Sequence, residues 1–173
     1  IGEQLDKLGI DSHFVNGMRV TDAATMDVVQ MVLGGLVNKE IVSLLQAQGG
    51  QAVGITGKDG ELIQAEKLAA TTFQNAEQDA EIDASQPVDY GFVGQVKHIN
   101  TSLLDALYKE HFIPVIAPVG VGSDGVSYNI NADIVAGEIA KALRAEKLIL
   151  LTNTPGILDP EGQTLSSLQR QDR

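Results

Sequence analysis

Short apolar runs alternate with amphipathic segments along this chain, and this alternation limits the possible folds more than any other feature. Residues 51–56 (QAVGIT) and 112–121 (FIPVIAPVGV) have the length of buried strands, whereas residues 132–146 repeat their apolar side chains at helical spacing. Helices that alternate with buried strands are typical of parallel sheets covered on both faces. We therefore expect an α/β fold, a three-layer αβα sandwich with a mostly parallel central sheet.

Hairpins and one long helix complete the expected architecture. Asn16-Gly17 between apolar residues is a strong hairpin signal, and residues 90–99 (YGFVGQVKHI) are interpreted as a second hairpin. Residues 21–50 predict a helix in which Gly34-Gly35 indicates a bend or a close contact with another helix. Residues 147–152 (KLILLT) predict a further apolar strand.

Composition and charge narrow the class of partner. The 173 residues are 43% hydrophobic, which is enough for one domain with a sizeable core. A net charge of −11 argues against nucleic acid or an anionic membrane as the main partner, although a phosphate site depends only on the local field. The absence of Cys excludes a disulfide framework and a thiol nucleophile. We identify no apolar run that would span a bilayer and no signal peptide, and we expect a cytoplasmic protein.

The two ends of the sequence lack the features of a complete fold. The chain starts at Ile1 inside what reads as a helix and stops after residues 166–173 (SSLQRQDR) without a closing element. We expect residues 1–173 to be one domain that lacks its N-terminal and C-terminal segments. Residues 71–88 are acidic, polar and weakly periodic, and are interpreted as a surface loop.

The hexapeptide YNINAD places polar side chains at every second position. In an extended segment Asn129, Asn131 and Asp133 would share one face, while Ile130 and Ala132 would point into the core. This arrangement is typical of a polar site built on an apolar scaffold. The alternative interpretation is local, because Asp133 could simply cap the helix that follows.

Two further polar features are candidates for a site. Arg19 follows the first hairpin turn and could clamp a carboxylate with two parallel hydrogen bonds, although on spacing alone a solvated arginine is the favoured interpretation. Thr152, Asn153, Thr154 and Gly156 follow the last predicted strand, at the edge of an α/β sheet where ligands gather.

Other motifs are better explained as structural. Residues 54–61 (GITGKDGE) lack the first Gly and the final Ser or Thr of a phosphate loop, and residues 120–125 (GVGSDG) precede a turn instead of a helix. His13, His98 and His111 have no metal-ligand spacing, so no metal site is predicted.

Taken together, the motifs resemble the acetylglutamate kinase branch of the amino-acid kinase family, in order and with similar spacing along nearly the whole chain. The pairing of an NGxRVTD element with an NxNAD element is quite specific to this branch. The stretches that carry the resemblance are 15–22 (VNGMRVTD), 26–42 (MDVVQMVLGGLVNKEIV), 52–60 (AVGITGKDG), 91–96 (GFVGQV), 112–133 (FIPVIAPVGVGSDGVSYNINAD) and 147–159 (KLILLTNTPGILD).

The resemblance implies a phosphotransferase that moves the γ-phosphoryl of ATP, bound with Mg²⁺, to the γ-carboxylate of N-acetyl-L-glutamate in arginine biosynthesis. It implies that Arg19 binds the acceptor α-carboxylate, that Asn129 and Asn131 hold and support the acceptor, and that Asp133 is catalytic and orients lysines around the phosphoryl group. The nucleotide-binding residues implied in the same way are Asn153, Thr154, Gly156, Ile157 and Leu158.

The resemblance leaves three points open. Asn153 stands where the family more often carries Asp, and the family's phosphate loops and two lysines are expected outside these 173 residues. A related kinase for another acylated amino acid, or a non-catalytic binding member of the fold, is the alternative function. A homodimer or higher oligomer is expected, with the helical stripe Met26, Val29, Leu33 and Leu36 at the interface or, alternatively, packed on its own sheet.

Overall fold

The computed structural model describes residues 1–15, 18–70, 87–152, 156–157, 159 and 162–165. The helices are α1 (Gly2–Leu8), α2 (Ala23–Val29), a π-helix (Gln30–Val37), α3 (Asn38–Ala47), a 3₁₀ turn (Asp59–Glu61), α4 (Ser102–Lys109) and α5 (Ala132–Ala142). The strands are β1 (Phe14–Val15), β2 (Met18–Arg19), β3 (Ala52–Thr56), β4 (Ile63–Lys67), β5 (Gly94–Ile99), β6 (Ile113–Ala117), β7 (Val119–Val121) and β8 (Ser127–Asn129).

The strands form three sheets, and the expected α/β class is confirmed. β3 and β6 pair in parallel, as expected for strands joined through helices. The second sheet has the order β5-β4-β7-β8 and is mixed, because β4 and β7 are parallel whereas β4–β5 and β7–β8 are antiparallel. Among the described strands, the parallel pairing expected for most of the sheet occurs in the pairs β3–β6 and β4–β7. β1 and β2 form the predicted hairpin.

Pro118 divides the apolar run 112–121, which we predicted as one strand, into two. β6 ends before it and β7 begins after it, and the two strands belong to different sheets. Proline lacks the backbone N–H that a central strand needs, so the ladder breaks at this position. The carbonyl group of Pro118 still accepts a hydrogen bond from the backbone N–H of Ile130.

Two other predicted elements differ in the structure. Residues 90–99 do not form their own hairpin, because β5 pairs with β4 across the 71–86 region, which lies outside the described residues. Residues 147–152 form no strand, and Leu151 in this segment is 96% exposed. An apolar segment forms a strand only where a neighbouring strand can hydrogen-bond to its backbone. The composition of the segment does not show whether such a neighbour is present.

α2, the π-helix and α3 form one continuous helix from Ala23 to Ala47 that has the length and hydropathy to cross a membrane. Our expectation that no run could do so was wrong, since a run interrupted at Lys39 and Glu40 still has a mean hydropathy of 1.5. A core helix of a globular domain passes the same test. Here the helix is hydrogen-bonded to the sheet through Asn38, as described next.

Asn38 is a buried polar side chain that connects this helix to both strands of the parallel pair. Its Nδ2 donates to the carbonyl oxygens of Ile55 at 3.2 Å and Val115 at 2.8 Å. Gly54 makes room for it, because a Cβ there would lie 1.8 Å from Asn38 Oδ1. A buried amide is stable only when such partners satisfy it, so this contact specifies where the helix sits on the sheet.

The main hydrophobic core lies between the mixed sheet and the helices α4 and α5. Its buried members are Leu62, Ile63, Ala65, Ile99, Leu104, Tyr128, Ile130 and Val135. A smaller cluster joins Met26 and Val29 of the long helix to Val119, with Leu33 packed against it. Three of the four stripe residues expected at a subunit interface therefore pack inside the domain, as the alternative interpretation predicted. Leu36 is 58% exposed.

Candidate functional site

Residues 90–93 lie between the base of the β1–β2 hairpin and the end of β8. The backbone N–H of Thr21 donates to Tyr90 at 3.0 Å, and the N–H of Phe92 donates to the Thr21 carbonyl at 2.7 Å. On the other side, the N–H of Asn129 donates to the Phe92 carbonyl at 2.8 Å. The strand end that carries Asn129 is thus joined through one intervening segment to the hairpin that carries Arg19.

Gly91 is required for this close packing. Its φ of 71 lies in the left-handed region, which glycine adopts without steric cost. A Cβ at Gly91 would lie 2.2 Å from the carbonyl oxygen of Thr21. No other residue type could occupy this position without moving the hairpin.

Arg19 lies over the inner side of its own hairpin. Its guanidinium carbon is 4.4 Å from the centre of the Phe14 ring, and Nη1 donates a hydrogen bond to the hydroxyl of Ser12. Partial burial lowers the pKa of Arg19, and the carboxylate of Asp6 opposes that effect. The guanidinium stays charged at neutral pH. Among the described residues it forms no direct salt bridge, although the Asp6 carboxylate acts on it from a longer distance.

Thr21 connects two of the predicted site residues through its hydroxyl group. Thr21 Oγ1 donates to the backbone carbonyl of Arg19 at 3.0 Å and accepts from Asn129 Nδ2 at 3.5 Å. Thr21 is fully buried. The hydroxyl of Thr21 therefore links the backbone of Arg19 to the side chain of Asn129. That both residues bind one acceptor stays a prediction.

The alternation predicted for YNINAD holds only as far as Asn131. Tyr128 and Ile130 are buried, in agreement with an extended segment. α5 begins at Ala132, so Ala132 and Asp133 are helical, and Ala132 is exposed instead of pointing into the core. The prediction that Asp133 shares an extended face with the two asparagines was wrong, because the period of two ends where the helix begins.

Asn131 is the N-cap of α5. Its side-chain oxygen accepts hydrogen bonds from the backbone N–H groups of Asp133 at 2.9 Å and Ile134 at 3.2 Å. The capping function that we had considered for Asp133 therefore belongs to Asn131.

Asp133 is exposed in the first turn of α5, where the helix dipole favours a negative charge. Its carboxylate has no hydrogen-bond or ion-pair partner within the described part of the chain. A carboxylate in this position is free to contact cationic groups that approach the N-terminal end of α5.

The residues predicted for the nucleotide are described only in part. Asn153, Thr154 and Leu158 lie outside the described residues. Gly156 has a φ of 155, and Ile157 is exposed, with its carbonyl accepting a hydrogen bond from the backbone N–H of Leu165. The nucleotide contacts of this segment accordingly stay predictions.

Sequence reasoning did not identify Thr21 and Phe14 as parts of the site. Thr21 lies directly before Asp22, the N-cap of α2, whose carboxylate accepts from the backbone N–H of Thr25 at 2.7 Å. The available signal was the alternation of Arg19 and Thr21 in the strand and its continuation, which places both on one face.

Two other features do not supply a site. The described residues contain no group of three or more His, Cys, Asp or Glu side chains that could hold a metal ion. A cleft of about 530 Å³ lies along β4 and β7, but its lysines face carboxylates, as in the pair Lys97–Glu66 at 3.8 Å. Its mixed charge does not select an anionic ligand.

Known proteins with similar sequences share one description. The chain is 60% identical to an acetylglutamate kinase of Saccharophagus degradans and to one of Alkalilimnicola ehrlichii, each over 97% of this chain and 54% of the relative. It is 56% identical to an acetylglutamate kinase of Hydrogenovibrio crunogenus, over 99% of this chain and 56% of that protein. The chain therefore spans about half the length of the curated relatives it matches.

Two solved structures with a similar fold are not described as acetylglutamate kinases. The protein smu.665 of Streptococcus mutans superimposes with a TM-score of 0.74 at 28% identity, over 92% of this chain and 58% of that one. N-acetylglutamate synthase of Neisseria gonorrhoeae, in complex with coenzyme A and N-acetyl-glutamate, superimposes with a TM-score of 0.65 at 25% identity, over 95% of this chain and 35% of that one.

The family comparison covers almost every residue. The family model described as the amino acid kinase family matches residues 1–172. With the α/β fold and its parallel strand pair, this match establishes that the chain belongs to the amino acid kinase family.

Proposed function

We propose that the protein transfers the γ-phosphoryl group of ATP to the γ-carboxylate of N-acetyl-L-glutamate, as a cytoplasmic enzyme of arginine biosynthesis. The observation that carries the proposal is the convergence of Arg19 and Asn129 on Thr21, at 3.0 Å and 3.5 Å. Thr21 joins the Asn129 carboxamide to the backbone of the residue that carries the anion-binding guanidinium, and an acylated amino acid requires both groups. The 60% identity to two acetylglutamate kinases supports the choice of acceptor.

In this proposal Arg19 binds the α-carboxylate of the acceptor. A guanidinium presents two parallel N–H groups that match a carboxylate, and Arg19 forms no direct salt bridge among the described residues. Its contact with the Phe14 ring holds the planar group in one orientation. Asn129 binds the acylated amino end of the acceptor, and Asn131 supports the site by fixing the start of α5.

Asp133 is proposed to be catalytic through charge organisation. The acceptor carboxylate has a pKa of about 4 and is ionised at neutral pH, so no base is needed to activate it. The reaction brings two anions together, which requires in-line positioning and cations around the phosphoryl group. Asp133, exposed at the N-terminal end of α5, would hold such cations in place.

The nucleotide is proposed to bind as the Mg²⁺ complex of ATP, with the metal ion carried by the phosphates as part of the substrate. Asn153, Thr154, Gly156, Ile157 and Leu158 are the residues we propose along the nucleotide. We further propose that residues 1–173 belong to a single domain, and that the protein assembles at least as a homodimer without nucleic acid or membrane partners.

The second candidate is a binding domain without phosphotransferase activity. It is favoured by the likeness to N-acetylglutamate synthase, whose structure contains N-acetyl-glutamate. Against it, the identity to that synthase is 25%, compared with 60% to the kinases.

Acceptor profiling of the full-length protein tests the proposal. ADP release is measured with MgATP and N-acetyl-L-glutamate, N-acetyl-L-aspartate or N-acetyl-L-2-aminoadipate. We expect the highest kcat/KM with N-acetyl-L-glutamate. A preference for the aminoadipate derivative indicates the related kinase instead. Calorimetric binding of N-acetyl-L-glutamate without ADP release indicates the binding domain.

A further inference from the structure

The buried hydroxyl of Thr21 lies between two residues of the proposed acceptor site. It donates to the carbonyl of Arg19 at 3.0 Å and is 3.5 Å from Asn129 Nδ2. Thr21 is fully buried, so water does not replace either contact. The backbone of Thr21 is held as well, by hydrogen bonds to Tyr90 and from Phe92.

A hydroxyl group has one hydrogen to donate, and this one is committed to the Arg19 carbonyl. Towards Asn129 the hydroxyl can therefore act only as an acceptor. The Asn129 carboxamide has to present its NH₂ group to Thr21, because its oxygen would meet another oxygen. The opposite end of the carboxamide, Oδ1, is left for another donor, and no described residue supplies one.

We propose that Thr21 is a positioning residue that fixes which end of the Asn129 carboxamide faces the acceptor. With Oδ1 turned outward, Asn129 accepts a hydrogen bond from an N–H group, and the acylated amino group of an N-acyl amino acid provides one. The same hydroxyl holds the backbone carbonyl of Arg19, which ties the strand that carries the proposed carboxylate clamp to the amide acceptor. This inference rests on the proposed function.

The packing under the hairpin supports a rigid link. Val15, which pairs with Met18 across the hairpin, is buried against Tyr90 and Val93. Gly91 allows the hairpin base to contact this segment directly. Because the backbone on both sides is held, a change in the Thr21 hydroxyl acts on the orientation of Asn129 more than on the position of the strands.

Substitutions at Thr21 in the full-length protein test the inference. Thr21→Val keeps the shape and removes the hydroxyl, whereas Thr21→Ser keeps the hydroxyl. We expect Thr21→Val to raise the calorimetric Kd and the KM for N-acetyl-L-glutamate by about tenfold, the effect of one misdirected buried hydrogen bond. The KM for ATP should stay within about twofold, and Thr21→Ser should remain near wild type on both.

A matched control is Thr25→Val, which changes another buried threonine, on α2 and outside the acceptor residues. It should lower the melting temperature without a selective change in KM for N-acetyl-L-glutamate. If Thr21→Val does not fold, Thr21→Cys replaces it, because a thiol is a weak donor and acceptor.

The outcomes separate this inference from the proposed function. Unchanged affinity for N-acetyl-L-glutamate in a folded Thr21→Val or Thr21→Cys protein, or an equal rise of both KM values, overturns the positioning role. A wild-type protein that neither binds nor phosphorylates N-acetyl-L-glutamate rejects the proposed function, and this inference with it.

Discussion

The side-chain oxygen of Asn131 accepts a hydrogen bond from the backbone N–H of Asp133 at 2.9 Å, so Asn131 caps α5. Asp133 is therefore not the cap of α5, which is the structural role that its position at a helix start suggests. Its exposed carboxylate has no partner in the described part of the chain. The substitution of Asp133 should therefore report on function more than on folding.

Asp133→Asn should lower kcat strongly while it changes the KM of either substrate modestly. The expected loss is on the order of 10²-fold, because groups near the phosphoryl would no longer be held in place. Steady-state kinetics of the full-length protein measure this, with Glu138→Gln as the control on the same helix. Near-normal kcat in Asp133→Asn would reject the catalytic role. Loss of an acidic limb from its pH–rate profile would instead indicate a general base.

Local sequence signals predicted much of the fold. Asn16-Gly17 indicated the hairpin, and the apolar periodicity indicated the long helix and α5, because these features depend on neighbours in the chain. The strand predicted at 147–152 did not form, and the ladder position of β5 was missed. Both depend on partners distant in sequence, which a single chain's pattern does not encode.

Motifs in the sequence indicated candidate site residues, but not the contacts between them. Arg19 and Asn129 were identified from their motifs, whereas the contact through Thr21 joins residues more than a hundred positions apart. Asp133 was placed on the wrong kind of segment, because the change from strand to helix falls at Ala132, inside the motif. Only the structure shows where the strand, with its period of two residues, ends and the helix begins.

Arg19→Lys should raise the KM for N-acetyl-L-glutamate more than the KM for ATP. Lysine keeps the charge but loses the planar fork and the stacking on Phe14, so the expected rise is about tenfold or more. Arg144→Lys, at the opposite end of α5 from Asn131, is the control and should leave both constants unchanged. Equal effects of Arg19→Lys on the two substrates would contradict the role in acceptor binding.

The cap of α2 predicts a pH-dependent contribution to stability. The backbone hydrogen bond from Thr25 is the main cause of a lowered pKa of Asp22. The folded state therefore favours the ionised carboxylate, and the stabilisation is fully present above the unfolded pKa of about 3.9 and is lost as the pH falls through the lower folded value.

Asp22→Ala should cost about 1 kcal/mol of unfolding free energy at pH 7, whereas Asp22→Asn should cost less because Asn is also a good cap. Denaturant unfolding at pH 7 and at pH values below about 3.9 measures both effects. The difference between wild type and Asp22→Ala should shrink in acid. A difference that stays constant with pH would show that the carboxylate charge does not contribute.

Leu36→Arg should weaken self-association. Met31 and Leu36 are 59% and 58% exposed on the long helix, on a different face from the buried Met26 and Val29, and we expect a second copy to cover them. Sedimentation of the full-length protein should show at least a dimer at micromolar concentration and a shift towards monomer in Leu36→Arg. Tyr108→Arg, at an exposed position on α4, should leave the assembly intact. A monomeric wild type would rule out the proposed dimer.

The most direct test of the account is the detection of the acyl phosphate itself. Full-length protein is incubated with MgATP, N-acetyl-L-glutamate and hydroxylamine, which converts an acyl phosphate into a stable hydroxamate, and the products are quantified by mass spectrometry. The account predicts one hydroxamate of N-acetyl-L-glutamate for each ADP released, and none when either substrate is omitted. ADP release without hydroxamate, or formation of neither product, would contradict phosphoryl transfer to the carboxylate.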